Sequence, residues 1–172
     1  ARTRTKLFSP GKTFIQRYDN LTLLPQFNKE IKLETTKGSK TLEYAVLERV
    51  GDKPVLMATY FNSEKDKIEL YGRLYDIEGE PSEKEKKIAE FPATRKSQLQ
   101  ALNFVQSSDS SSMLCFFSEK FDKYSNEKME FNLFNPQLEI IWNRSIEFPY
   151  KGSNLQIHRT VVDPQGRVYM LV

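Results

Sequence analysis

The sequence predicts an all-β protein of antiparallel four-stranded repeat units, arranged as a partial or fragmentary β-propeller. Two-residue alternation of apolar and polar side chains dominates from Thr13 onward, while a helical period is nearly absent. Turn signals separate the apolar runs at short intervals. Three landmarks recur in the same order 57 to 59 residues apart. In a chain of 172 residues these features leave room for two nearly whole units and parts of others. The hydrophobic fraction of 38% is too high for full disorder, and the apolar runs are too short for a helix to cross a bilayer.

Residues 1–12 form a basic N-terminal arm. Arg2, Arg4, Lys6, Lys12 and Arg17 fall within the first 18 residues, which contain no acid. Arg2, Arg4 and Lys6 are therefore candidate contacts for phosphate or an acidic partner. A solvated terminus explains the same residues. The body, 13–172, begins with a candidate hairpin around Asp19-Asn20 within 14–34.

The first unit covers about 41–92. Leu42, Tyr44, Val46 and Val50 share one face of a strand over 41–50. Gly51-Asp52-Lys53-Pro54 is a turn, and Val55–Phe61 is the second strand. Ser63–Lys67 turns into a third strand. There Ile68, Leu70 and Leu74 alternate with Glu69, Tyr71, Arg73 and Tyr75. A weaker fourth strand is expected over Lys87–Phe91, and any helix is expected to be confined to 81–90.

The second unit covers about 97–149. Strands are expected over Ser97–Val105, Met113–Phe117, Met129–Phe134 and Leu138–Phe148, with polar turns between them. Glu90-Phe91-Pro92 recurs as Glu147-Phe148-Pro149. Val55-Leu56-Met57 matches Met113-Leu114-Cys115, and Leu74-Tyr75-Asp76 matches Leu133-Phe134-Asn135. A third unit starts at 151. Leu155–Val162, the turn Asp163-Pro164-Gln165-Gly166 and Arg167–Val172 correspond to the first hairpin of the earlier units. Because the chain begins at Ala1 and stops within a predicted strand, a fragment of a longer protein is expected.

The hairpin Val161–Leu171 resembles one found in many bacterial propellers. Asn135–Trp142 followed by Ile146–Tyr150, together with the stretch Asn62–Asp76, resembles a group of uncharacterised propeller-like proteins of Bacteroidetes bacteria. That resemblance, over about 13–172, implies a secreted, periplasmic or cell-surface protein associated with the outer membrane. It assigns no activity and no site residues.

The chemistry read directly from the residues points the same way. His158 is the only histidine, so a Ser-His-Asp triad or histidine-rich metal site would have to use it, and an ordinary strand residue explains it. Cys115, within Met113–Phe117, reads as a small buried side chain. Ser107–Ser112 is similar to the Asp-box turn of sialidases but lacks its glycine and tryptophan. No catalytic residue, metal site or cofactor is expected. Asn20 and Asn143 fit the glycosylation sequon, which has meaning only in a eukaryotic secreted chain.

The expected function is a non-catalytic binding or scaffold module that contacts another protein chain. The alternative is a glycan-binding or glycan-processing propeller in which Trp142 and Tyr150 form a sugar-stacking platform. A nucleic-acid role through the basic arm ranks third. Expected core positions are Trp142, Phe131, Leu133, Phe116, Val46, Leu70 and Leu74.

Overall fold

Antiparallel pairing organises the chain into four sheets that stack in chain order. The computed structural model describes residues 13–31, 42–82, 84–118, 124–151 and 155–172. The first layer is a hairpin of β1 (Thr13–Tyr18) and β2 (Pro25–Ile31). The second is a meander of β3 (Glu43–Val50), β4 (Lys53–Asn62), β5 (Lys67–Leu74) and β6 (Lys86–Pro92). The third repeats that order with β7 (Leu102–Gln106), β8 (Met113–Ser118), β9 (Asn126–Phe134) and β10 (Ile140–Lys151). The fourth is a hairpin of β11 (Arg159–Val162) and β12 (Val168–Leu171).

Strand alternation determines which core each side chain enters. On β4 and β5, Val55, Met57, Ile68 and Leu70 face the third layer, and join Met113, Cys115 and Phe117 in the largest core. Phe91 and Phe117 meet there with ring centroids 5.5 Å apart. Leu56 and Tyr75 point the other way, onto Ile15 and Ile31 of the first hairpin. On the far side of the third layer, Leu114, Phe116, Met129, Phe131 and Leu133 enclose Val162 of the fourth. The runs Val55–Ala58 and Met113–Phe117 are buried throughout because both of their faces are covered.

The two four-stranded sheets are both antiparallel meanders of consecutive strands, and the alternation expected on β5 is present. That strand's polar face is not at solvent. Glu69 and Arg73 are buried with Tyr71 and Tyr75. Asn62 Nδ2 and the Tyr71 hydroxyl donate to the Glu69 carboxylate at 2.9 and 2.6 Å. Burial first, then the Glu69 hydrogen bond, raises the Tyr71 phenol well above its usual range. Among the expected core residues Phe131, Leu133, Phe116 and Leu70 are buried, while Trp142, Val46 and Leu74 are half-buried.

Four expectations are corrected. Leu42 does not share a face with Val46 and Val50. A bulge between Tyr44 and Val46 shifts the register against Ala58 and Met57, so Leu42 packs on Ala58 and Tyr71 instead. Helix is not confined to 81–90, where the expected fourth strand forms instead as Lys86–Pro92 paired with β5. The short helix lies at Lys96–Ala101, a 3₁₀ turn where a strand was expected from Ser97. Gln98 Oε1 accepts from the backbone N–H groups of Thr94 and Arg95, both at 2.9 Å, and starts that turn. Finally, 155–158 lie outside the strand, so His158 precedes β11, with its N–H donating to the Leu171 carbonyl.

One loop geometry occurs at three places along the chain. Asp76 Oδ1 accepts from the N–H groups of Glu78 and Glu80, Asn135 Oδ1 from Gln137 and Glu139, and Asp163 Oδ1 from Gln165 and Arg167. The fourth residue of each loop has positive φ: Gly79, Leu138 and Gly166. Each tip also presses on the preceding layer. A Cβ on Gly79 would lie 2.5 Å from the Phe27 ring, and one on Gly166 would lie 2.7 Å from Leu133 Cδ2. Leu138 instead sends its own Cδ1 to within 2.6 Å of where Gly72 would carry a Cβ.

Gly79→Ala is therefore expected to destabilise the fold by at least about 1–2 kcal/mol, the cost of a left-handed alanine. Denaturant unfolding measures it, and an unchanged midpoint at unchanged slope would contradict this role for the loop.

A second expectation concerns Glu90, which accepts from Lys67 at 2.7 Å and from Lys87 at 2.6 Å. These two cations, Lys67 foremost, hold its carboxyl at about 2 in the fold, against an ordinary 4.5. A depressed carboxyl adds stability above its unfolded value and loses it as pH falls from 4.5 toward 2. The effect is small because the trio is partly solvated. Glu90→Gln is expected to flatten the stability profile in that window. A profile of unchanged slope would show that the trio contributes nothing.

Candidate interaction surface

The antiparallel order places β10 at the outer edge of the third layer. No residue of this 12-residue strand is buried. Ile140, Ile141, Ile146 and Tyr150 are all exposed. The even positions continue the core between the third and fourth layers. Trp142, Ile146 and Phe148 line a groove of about 280 Å³ with Phe131 beneath and Val168 and Met170 of β12 opposite. Arg144 borders it and supplies the only charge on its wall among the described residues.

A bulge between Ile140 and Trp142 brings Trp142 opposite Leu133. The same shift carries the indole to the fourth-layer loop. Its Nε1 lies 3.6 Å from where Gly166 would carry a Cβ, and the ring walls a shallow cleft of about 310 Å³ with Arg144 and Arg167.

The predicted site residues do not converge. Tyr150 follows Trp142 by eight positions on one strand. At about 3.4 Å per residue the two lie roughly 27 Å apart, too far for one sugar-stacking platform. Arg2, Arg4 and Lys6 lie outside the described residues. His158 is exposed. Cys115 is fully buried, and burial raises its thiol well above the usual range. The turn Ser107–Ser112 is held by Asp109, whose carboxylate accepts from the N–H and hydroxyl of Ser111 and from the Ser107 hydroxyl. These bonds, the Ser111 N–H first, keep its carboxyl below the usual range.

A cleft of about 390 Å³ lies beside Phe116, Glu127 and Ile157, and two of about 450 Å³ each lie elsewhere. One runs between β3 and β7, where Glu48, Gln100 and Asn103 line it beside the Lys96–Glu43 ion pair. The other lies between the first hairpin and the second layer, where Arg17 donates to the Ile77 carbonyl at 3.0 Å. Among the described residues no group of three or more His, Cys, Asp or Glu is placed to hold a metal. No helix there is long and apolar enough to cross a membrane.

Sequence reasoning missed Ile146 and Phe148 in the groove, and Phe14 and Tyr18 on the outer face of the first hairpin. The signal was present in the residue matches along the chain. Phe148 is the counterpart of Phe91, and Tyr18-Asp19 repeats Tyr75-Asp76 and Phe134-Asn135. No protein-family model, no curated protein and no solved structure matches the chain.

Proposed function

We propose that the chain is a non-catalytic binding module of β-propeller type that works through protein–protein contacts at a bacterial cell envelope. The observation that carries the contact reading is β10. A long edge strand with no strand on its outer side among the described residues, and with several exposed large apolar side chains, is a surface that soluble proteins normally cover. The stacking of four-stranded layers in chain order supports the propeller. The envelope location rests on the resemblance to the Bacteroidetes proteins alone.

The polar residues that would draw attention as chemistry are engaged in holding backbone. Asp76, Asp109, Asn135 and Asp163 each accept two or more bonds within their own turns. The test is a photo-crosslinking residue at Ile146, activated in the source cells. A protein adduct of defined mass is expected. Adducts confined to polysaccharide would favour the glycan reading and contradict this one.

A further inference from the structure

We propose that the cleft beside Glu127 binds an organic monocation, an ammonium or guanidinium group carried on an apolar stem. No residue of β10 lines this cleft, so the site is separate from the contact surface described above.

The carboxylate stands among apolar side chains. Strand alternation puts Glu127 on the β9 face that carries Met129, Phe131 and Leu133, which belong to the core between the third and fourth layers. Glu127 is 7% exposed. Its one partner among the described residues is the Ser118 hydroxyl, which donates to Oε1. A hydroxyl supplies a hydrogen bond and no charge. Buried carboxylates are ordinarily paired with a cation or bound to a metal, because surroundings of low dielectric penalise a lone charge. Lys128, next in sequence, is turned to the opposite face, where its Nζ lies 3.9 Å from Glu130. A cation from outside supplies what the site lacks.

The space beside the carboxylate fits a small molecule or one long side chain. The cleft holds about 390 Å³, within the range of about 300–1,000 Å³ usual for ligand pockets. Phe116 and Met129 line it from the third layer, and Leu155 and Ile157 from the segment before β11. Asn103 Nδ2 donates to the Ala101 carbonyl at 2.9 Å, which leaves its Oδ1 as a second acceptor in the lining. Apolar walls around a single negative charge suit an alkyl or aryl stem that ends in a cation. They suit a metal ion poorly, since calcium takes about six to eight oxygen ligands. Glu127 is the one carboxylate in the lining.

The test is a titration of the isotope-labelled 172-residue chain with n-butylamine, its neutral analogue 1-butanol, calcium chloride and a lysine tripeptide with blocked ends, followed by amide chemical shifts. Saturable shifts gathered at Phe116, Glu127, Met129 and Ile157 are expected with the amine. Glu127→Gln keeps the size and an acceptor for Ser118, and is expected to weaken amine binding at least about tenfold, the loss of one charge-assisted hydrogen bond. Glu130→Gln, on the opposite face of β9, is expected to bind as the parent does. The comparison of amine with alcohol on the parent decides the matter even if the Glu127 variant does not fold. Tighter binding of the tripeptide would assign the site to a lysine of a protein partner, and tighter binding of the free amine to a small molecule; both support the proposal. Equal binding of 1-butanol, amine shifts that Glu127→Gln leaves unchanged, or saturable calcium shifts at Glu127 would each overturn it.

Discussion

Phe131→Ala is expected to lower the unfolding free energy by about 3–5 kcal/mol, the range for emptying a large aromatic site in a packed core. Phe131 sits opposite Phe116 across the β8–β9 pair, with ring centroids 5.7 Å apart. It is 3% exposed and forms the floor on which β12 rests. The neighbours are strands held in ladders on both sides, so the site cannot collapse to fill the void. Denaturant unfolding gives the value directly. A loss under about 1 kcal/mol would mean that the third and fourth layers do not pack as described.

Glu85→Ala is expected to cost a similar amount, about 3–5 kcal/mol, by a different route. The carboxylate meets Arg73 Nη2 at 2.5 Å, and the two side chains are 5% and 7% exposed. Removing the acid takes the opposite charge away from a guanidinium whose side chain is only 7% exposed. The pair also fastens the segment before β6 to β5. Glu85→Ala should therefore be far worse than Glu78→Ala, on the exposed loop nearby. Equal effects in the two variants would show that the Arg73–Glu85 pair is solvated.

Much of the fold was legible because both central layers write their strands as runs or alternations of apolar residues. The strands at Lys53–Asn62 and Met113–Ser118 follow from the runs Val55–Ala58 and Met113–Phe117. What was not legible depends on one-residue events. The bulge at Tyr44 reverses the face of Leu42, and no local residue announces it. The 3₁₀ turn at Lys96–Ala101 is set by a side-chain bond of Gln98 to Thr94 and Arg95, which overrides the apolar spacing of Leu99 and Leu102. The polar face of β5 gave no sign of burial, because Glu69 and Arg73 are hidden by partners distant in sequence such as Asn62 and Glu85.

The candidate surface was less legible still. Trp142 was visible as a lone tryptophan, but its relation to Gly166 and β12 depends on the bulge between Ile140 and Trp142. Tyr150 looked close in sequence and is remote in space, because an extended strand carries residues apart far faster than a helix does. Ile146 and Phe148 became meaningful only with the groove they line beside Phe131 and β12.

The layered stack in chain order is the claim on which everything else depends, and nuclear Overhauser contacts between layers test it most directly. Three glycines report one junction each: Gly79 against the Phe27 ring, Gly72 against the Leu138 methyls and Gly166 against the Leu133 methyls. All three cross-peaks are predicted to be strong in the assigned spectrum. Their absence, with intact cross-peaks along the β4–β5 and β8–β9 ladders, would mean that the sheets form but do not stack in this order.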